Sequence, residues 1–320
     1  MSDASPPLPS YLKLAQTGTL QRLVKKLHGQ LKECVLCPRL CKVDRLNNQK
    51  GACSTGLSAL VSSYNPHYGE EAPLVGSGGS GTIFFSGCNL GCVFCQNYTI
   101  SHGKQGVEVS SGQLASIMVS LQKQGCHNIN FVTPSHVVPQ IVAALPPAIE
   151  KGLSIPLVYN SSGYDAVQTL KLLDGIFDIY MPDFKFWASA SAKLYCHAAD
   201  YPERARESLI EMHRQVGDLQ INEDGVAQRG LLVRHLVMPG MIDETEEIIG
   251  FIAEKVSPNT YVNLMGQYHP CFKASNFPEI DTMLGKEEYN AALNCAREKG
   301  LIRLDNKDMV DLLKSLLQSV

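Results

Sequence analysis

Residues 84–97, FFSGCNLGCVFCQN, place Cys88, Cys92 and Cys95 within eight positions. Two thiols so close would suit a disulfide or redox pair, and four would close a tetrahedral zinc site. Three form a ligand set with one place open. A cubane iron–sulfur cluster has four irons, each normally held by a thiolate. Three cysteines therefore hold three irons and leave the fourth for an exogenous ligand. Gly87 and Gly91 let the backbone wrap close to the inorganic sulfides. Phe94, next to the last cysteine, can screen one side from water.

The surroundings of this loop set the fold. TIFF precedes it directly, and five further β-branched or aromatic runs follow: INFV, IPLVYN, FDIYMP, LLVRHLV and TYVNLM. Between them lie amphipathic stretches, SGQLASIMVSLQKQ, HVVPQIVAALPPAIEK, DAVQTLKLLD, YPERARESLIEMHRQV and DETEEIIGFIAEK. Strands alternating with helix-length crossovers predict βα units around a parallel sheet. Right-handed crossovers curl such a sheet into a full or partial barrel, with function gathered where strands end. Side chains two apart on a strand share a face. Asp183 and Lys185 in MPDFKF then point one way, and Arg234 sits mid-run where a charge needs a partner. Asn160 ends its run, Asn263 lies in TYVNLM, and Gln267 and His269 continue the same two-residue step, so these polar groups are expected at one end.

The chain has 320 residues, a net charge of −3 and 44% hydrophobic residues, the profile of a globular enzyme rather than a disordered chain. That charge offers no general attraction to nucleic acid or to an anionic membrane, so neither is an expected partner. No apolar run approaches a membrane span, and the N-terminal residues lack the pattern of a secretory signal, so a cytoplasmic location is expected. Asn97-Tyr-Thr and Asn160-Ser-Ser match the glycosylation tripeptide by chance on this reading. Residues 1–10 read as a loose tail. The basic residues of YLKLAQTGTLQRLVKKLHGQLKEC read as the solvated face of a helix.

Seven of the eleven cysteines lie between Cys34 and Cys95. In a reducing compartment they are metal ligands or catalytic groups rather than disulfides. Cys126, Cys196, Cys271 and Cys295 are isolated in sequence and read as small buried hydrophobes. Cys34, Cys37, Cys41 and Cys53 supply four ligands, suited to structural zinc or to a complete iron–sulfur cluster, with unligated thiols as the third alternative. Gly51 and Gly56 flank the last of them, as a tight ligand-bearing turn requires. GSGGSG at 76–81 satisfies a dinucleotide-binding pattern, but it precedes a strand instead of joining strand to helix. It reads as a lead into the first strand.

A Cys-x3-Cys-x2-Cys loop with an aromatic before its last cysteine, after the first strand of a βα series, resembles the signature of radical S-adenosylmethionine enzymes. The later strands resemble the pyruvate formate-lyase activating enzyme-like branch, and within it a PflX-type group that also has an N-terminal cysteine quartet. The resemblance implies an α/β fold, a partial (β/α)6 TIM-like barrel over 81–275. Before it come a tail and helix (1–30) and a cysteine-rich segment with its connection (31–80); a helical extension (276–320) follows. It also implies a [4Fe-4S] cluster on Cys88, Cys92 and Cys95, with S-adenosylmethionine bound at the open iron. MPDFK resembles the branch's D-x-K element, LLVRHLVMPG its strand with an inward arginine, GQYHP its tyrosine–histidine pair, and YNSSGY its asparagine-bearing strand end. Phe94, Asn160, Ser161, Asp183, Lys185, Arg234 and His269 are thereby implied near the cofactor, Lys185 at its carboxylate and His269 at its adenine. Where the branch carries a Gly-Gly-Glu-like element, this chain has NINFVTPSH, so Asn130, Thr133 or Ser135 stands in its place.

The implied activity is reductive cleavage of S-adenosylmethionine to a 5′-deoxyadenosyl radical that abstracts hydrogen, supplied with electrons by a reduced flavodoxin- or ferredoxin-type donor. Activation of a glycyl radical enzyme is the first option and chemistry on a small molecule or peptide the second. The residues name no catalytic group beyond this. The rival class is a non-catalytic iron–sulfur or zinc protein, structural or electron-transferring, in which all seven clustered cysteines are scaffold. That rival leaves Asp183, Lys185 and Arg234 without a role.

Overall fold

The computed structural model describes residues 8–103 and 105–305. Most of the expected N-terminal tail and the last part of the expected C-terminal extension lie outside the described residues. Nine strands make one mixed sheet: β1 (Ala59–His67), β2 (Ser80–Phe85), β3 (Val107–Val109), β4 (Ile129–Val132), β5 (Leu157–Ser161), β6 (Ile179–Pro182), β7 (Gln220–Ile221), β8 (Ala227–Leu236) and β9 (Tyr261–Met265). The order is β3-β1-β2-β4-β5-β6-β8-β7, with β9 also paired to β8. From β2 through β4, β5, β6, β8 and β9 each pairing is parallel. These parallel strands are the runs legible in the sequence. Three strands were not legible: β1, which is antiparallel to β2; β3, which is antiparallel to β1; and β7, which is antiparallel to β8. Pro66 and the polar run around it hide β1, and β7 is too short to carry a period. Among the described residues no pairing joins β9 back to the first strands, so the sheet is open.

The crossover helices start where local chemistry favours it. Ser110 accepts from the Gln113 N–H while the Gln113 side chain accepts from the Ser110 N–H, a capping box that opens α5. In chain order the helices are α1 (Ser10–Gln16), α2 (Thr19–Gly29), α3 (Ala72–Val75), α4 (Tyr98–Ser101), α5 (Ser111–Lys123), α6 (Val138–Glu150), α7 (Val167–Leu172), α8 (Ser189–Cys196), α9 (Tyr201–Val216), α10 (Ile242–Phe251) and α11 (Lys286–Glu298). The single amphipathic stretch expected near the N-terminus is split into α1 and α2 by Gly18 at φ +70, a conformation that costs glycine nothing. α2 then packs on α6. Among the described residues no helix is long and apolar enough to cross a membrane.

Strand alternation sorts the two faces. Phe131, Tyr159 and Tyr180 face the helix layer and meet Phe177, with ring centroids 6.0, 4.9 and 6.1 Å from it. Each such pair contributes about 0.5–1.5 kcal/mol beyond its burial. The opposite face is layered. Val158, Ile179, Met181 and Leu232 pack with Leu74 of α3, which closes the lower end. The polar residues sit above them, at the C-terminal ends of the strands.

Two fully buried histidines make stability pH-dependent. His235 lies between the Phe184 carbonyl (2.6 Å) and the Thr245 hydroxyl (2.9 Å), and His136 lies 3.0 Å from the Ser86 carbonyl. Burial lowers each pKa from the ordinary 6.5 to about 4. Both stay neutral in the folded chain while the unfolded chain takes up protons from about pH 6.5 downward. Stability is thus lost as pH falls from about 6.5 to 4, by up to about 1.4 kcal/mol per pH unit for each group. Denaturant melts across that window should show a shallower slope for His235→Gln than for the native chain. Equal slopes contradict this account.

Candidate metal centre and the polar end of the sheet

The cysteine loop begins two residues after β2. Gly87 and Gly91 adopt φ +86 and +85, and Cys92 and Cys95 lie near enough to act on the Cys88 thiol. A Cβ on Gly87 would stand 2.5 Å from the Cys53 carbonyl, so the loop is pressed directly against the cysteine-rich segment. The Leu90 N–H donates to Cys88 Sγ (3.4 Å), and Cys95 Sγ lies 3.3 Å from Ser101 Oγ. Phe94 is 5% exposed and packs edge-on to Phe186 and Tyr268, at 5.8 and 6.2 Å.

Burial, then the neighbouring Cys92, pushes the Cys88 thiol up to about 12, and burial likewise raises Cys95. Cys92 is raised by its contact with Cys196 first and by burial second, with Lys185 opposing. Any metal held here displaces thiol protons. Among the described residues, no three Cys, His, Asp or Glu side chains stand at the spacing of a single-ion site. A lone zinc, with Zn–S near 2.3 Å, would draw its thiolates to within about 4 Å of one another. A cubane puts each thiolate on a different iron and keeps them further apart.

Two of the four scattered cysteines are not the isolated hydrophobes their sequence positions suggest. Cys196, at the end of α8, is fully buried with its Sγ 3.3 Å from Cys92 Sγ. Cys271 Sγ lies 3.3 Å from the Phe94 carbonyl oxygen. Cys126 conforms to expectation: it is buried beside Gly81, at the opposite end of β2 from the loop. Cys295 is half-buried on α11.

The polar residues predicted at the strand ends form one network. Asp183 accepts from Lys185 Nζ (2.5 Å) and Arg234 Nε (2.7 Å). Arg234 also donates through Nη2 to Asn160 Oδ1 (2.7 Å), and its Nη1 lies 3.9 Å from Glu71 Oε1. Asn263 Nδ2 donates to the same Glu71 oxygen at 2.9 Å. Register explains the convergence, because Arg234 stands opposite Asn263 on β9 and bridges to Asp183. Burial alone would raise the Asp183 pKa, but Arg234 and Lys185 outweigh it and hold the carboxyl below its ordinary value. Burial raises Glu71 despite Arg234.

Several buried atoms here lack partners among the described residues: both amide atoms of Asn130, Glu71 Oε2 and the hydroxyl of Ser162. Orphaned buried polar atoms are costly and mark places where a ligand or water completes the bonding. With carboxylates and cations side by side, the end of the sheet suits a ligand carrying both signs of charge. Other expected residues are not drawn in. Ser161 faces the helix layer and donates to Asp165 Oδ2 (2.6 Å). His269 is exposed past the end of β9, its Nδ1 3.4 Å from the Gln267 carbonyl oxygen, and Gln267 is exposed too. β9 ends at Met265, so the two-residue step stops being a strand step before reaching them. Thr133 is half-buried just past β4.

Residues 74–171 match a family model described as a 4Fe-4S single cluster domain. The span contains Cys88, Cys92 and Cys95 and begins after the quartet, so the chain carries a 4Fe-4S cluster-binding domain around this loop. Over 298 residues the chain is 32% identical to an uncharacterized protein of Methanocaldococcus jannaschii, across 91% of this chain and 82% of that protein. The chain belongs to that protein's family. Two site residues escaped sequence reading. Glu71 precedes α3 in an unpatterned loop and meets Arg234 across 163 positions (71 to 234). Cys196 has no spacing relation to the loop it touches.

Asp183 is the shared partner of two cations. Asp183→Asn should destabilise the fold by about 3 kcal/mol or more, because it leaves Lys185 and Arg234 underpaired in a largely dry site. A denaturant midpoint unchanged within error would show that the cations find other partners.

Proposed function

We propose that this chain is a radical S-adenosylmethionine enzyme. The observation that carries the reading is a three-thiol loop facing a polar strand end that offers buried carboxylates, cations and unpartnered hydrogen-bonding atoms. A bound cluster of this kind supplies the electron that cleaves the sulfonium of S-adenosylmethionine, and the 5′-deoxyadenosyl radical so formed removes a carbon-bound hydrogen. Cys88, Cys92 and Cys95 are the ligands, and Phe94 keeps water from that side. Asn130, on the face opposite the helix layer with both amide ends free, together with Glu71 orients the amine or ribose of the cofactor. Lys185 and Arg234 balance its carboxylate while Asp183 fixes both cations. Resemblance supports a backbone glycine of a partner enzyme as the source of the hydrogen.

A second reading rests on Cys196. Its Sγ lies 3.3 Å from Cys92 Sγ, closer than two thiolates on separate irons stand, so a rotation away from Cys92 would be needed to make it a fourth ligand, and four thiolates would make a closed cluster suited to electron transfer alone. One set of assays separates the two. With dithionite and S-adenosylmethionine, the reconstituted native chain and Cys196→Ser should both form 5′-deoxyadenosine, while Cys92→Ala falls to background. No product from the native chain, together with loss of iron in Cys196→Ser, establishes the closed-cluster reading instead.

A further inference from the structure

The cysteine-rich segment between α2 and β1 contains no strand and, apart from a 3-10 turn at Arg45–Asn47, no helix. Four of its non-glycine residues, Leu40, Lys42, Asn48 and Ser54, have left-handed backbones. Such a segment needs something other than secondary structure to hold its shape. Its four thiols, Cys34, Cys37, Cys41 and Cys53, line one cavity together with Arg45 and His136. Arg45 is 1% exposed. Its Nε donates to the Gly56 carbonyl and its Nη1 to the His136 carbonyl, with Nη1 also 3.9 Å from Cys34 Sγ. Its Nη2 is buried with no partner among the described residues. A fixed buried cation with an unpartnered N–H beside four thiols favours an anionic group there, such as thiolates on a metal. As with the first loop, the thiols among the described residues are not gathered to single-ion spacing. The Ala52 N–H donates to Cys41 Sγ at 3.4 Å, the kind of bond that tunes cluster potentials.

The segment also grips the first loop. Arg39, between Cys37 and Cys41, donates to the carbonyls of Asn89 (2.8 Å), Leu90 (2.6 Å), His197 (2.6 Å) and Cys196 (3.3 Å). The Cys53 carbonyl presses on Gly87, next to Cys88. Contacts this close leave no solvent layer between the two backbones.

We propose that Cys34, Cys37, Cys41 and Cys53 hold a second, fully ligated 4Fe-4S cluster that passes electrons to the cluster at Cys88, Cys92 and Cys95. A low-potential one-electron protein donor of flavodoxin or ferredoxin type reduces the quartet cluster by one electron. That electron moves to the first cluster, the quartet cluster returns to its oxidised state, and no bond or proton is exchanged. The relay rests on the radical-enzyme reading above; the identity of the quartet's metal does not.

The full-length triple variant Cys88→Ala/Cys92→Ala/Cys95→Ala, purified and reconstituted anaerobically, should retain about four irons and four sulfides per chain and no stoichiometric zinc. One zinc without iron, or no metal, overturns the assignment. Arg45→Met keeps all four ligands and should shift the quartet cluster to lower potential while leaving the other cluster's potential unchanged; an unmoved quartet potential overturns the role of Arg45. Cys37→Ser should slow 5′-deoxyadenosine formation with reduced flavodoxin at least tenfold more than it slows the reaction driven by dithionite. Equal slowing with both reductants overturns the relay. A native chain inactive with every reductant removes the radical reading and the relay with it, and leaves the triple variant's iron count standing.

Discussion

The carboxylate of Asp183, held between Lys185 and Arg234, is the interaction on which the functional end of the molecule depends. β6 and β8 pair through only two residues before Asp183 bridges to Arg234. The carboxylate therefore ties the strand ends together while ordering two cations in a site too dry to leave either alone. From Arg234 the order passes to Asn160 on β5 and, through Glu71, to Asn263 on β9. From Lys185 its field reaches the thiol of Cys92. The same carboxylate thus orders the polar strand ends and the charge beside the cysteine loop.

The parallel core was legible because a buried parallel strand is an apolar run and its crossover helix has a distinct period. TIFF, INFV and TYVNLM each fell on a strand, and YPERARESLIEMHRQV fell on α9 from end to end. β1 was not legible: its burial depends on being sandwiched between β2 and β3, a tertiary fact that no local period records. Gly18 shows the opposite case, a single residue that breaks a continuous amphipathic pattern by its backbone alone.

At the site, alternation along strands identified Asn160, Arg234 and Asn263, since a polar residue on an inward step has few ways to be satisfied; Asp183 and Lys185 lie past the end of β6, where the bridge from Asp183 to Arg234 continues the pairing. The same rule failed for Gln267 and His269 because the strand had already ended. Ser161 follows Asn160 in sequence and so must face the other way. Glu71, Cys196, Arg39 and Arg45 act through contacts between distant segments or inside an irregular loop, where spacing is silent. The thiol count was the strongest sequence signal, yet it could not show that a further thiol lies against Cys92, or that the quartet segment is clamped to the first loop.

The account's central claim is that the iron left without a cysteine is where S-adenosylmethionine binds. Pulsed ENDOR on the reduced cluster, with S-adenosylmethionine carrying 15N at the amine and 13C at the carboxylate, reads that contact directly. Hyperfine coupling from both labels, present in the native chain and in a variant lacking the Cys34, Cys37, Cys41 and Cys53 thiols, is the predicted result. A reduced cluster that shows neither coupling, and whose EPR spectrum is indifferent to the added cofactor, would contradict it.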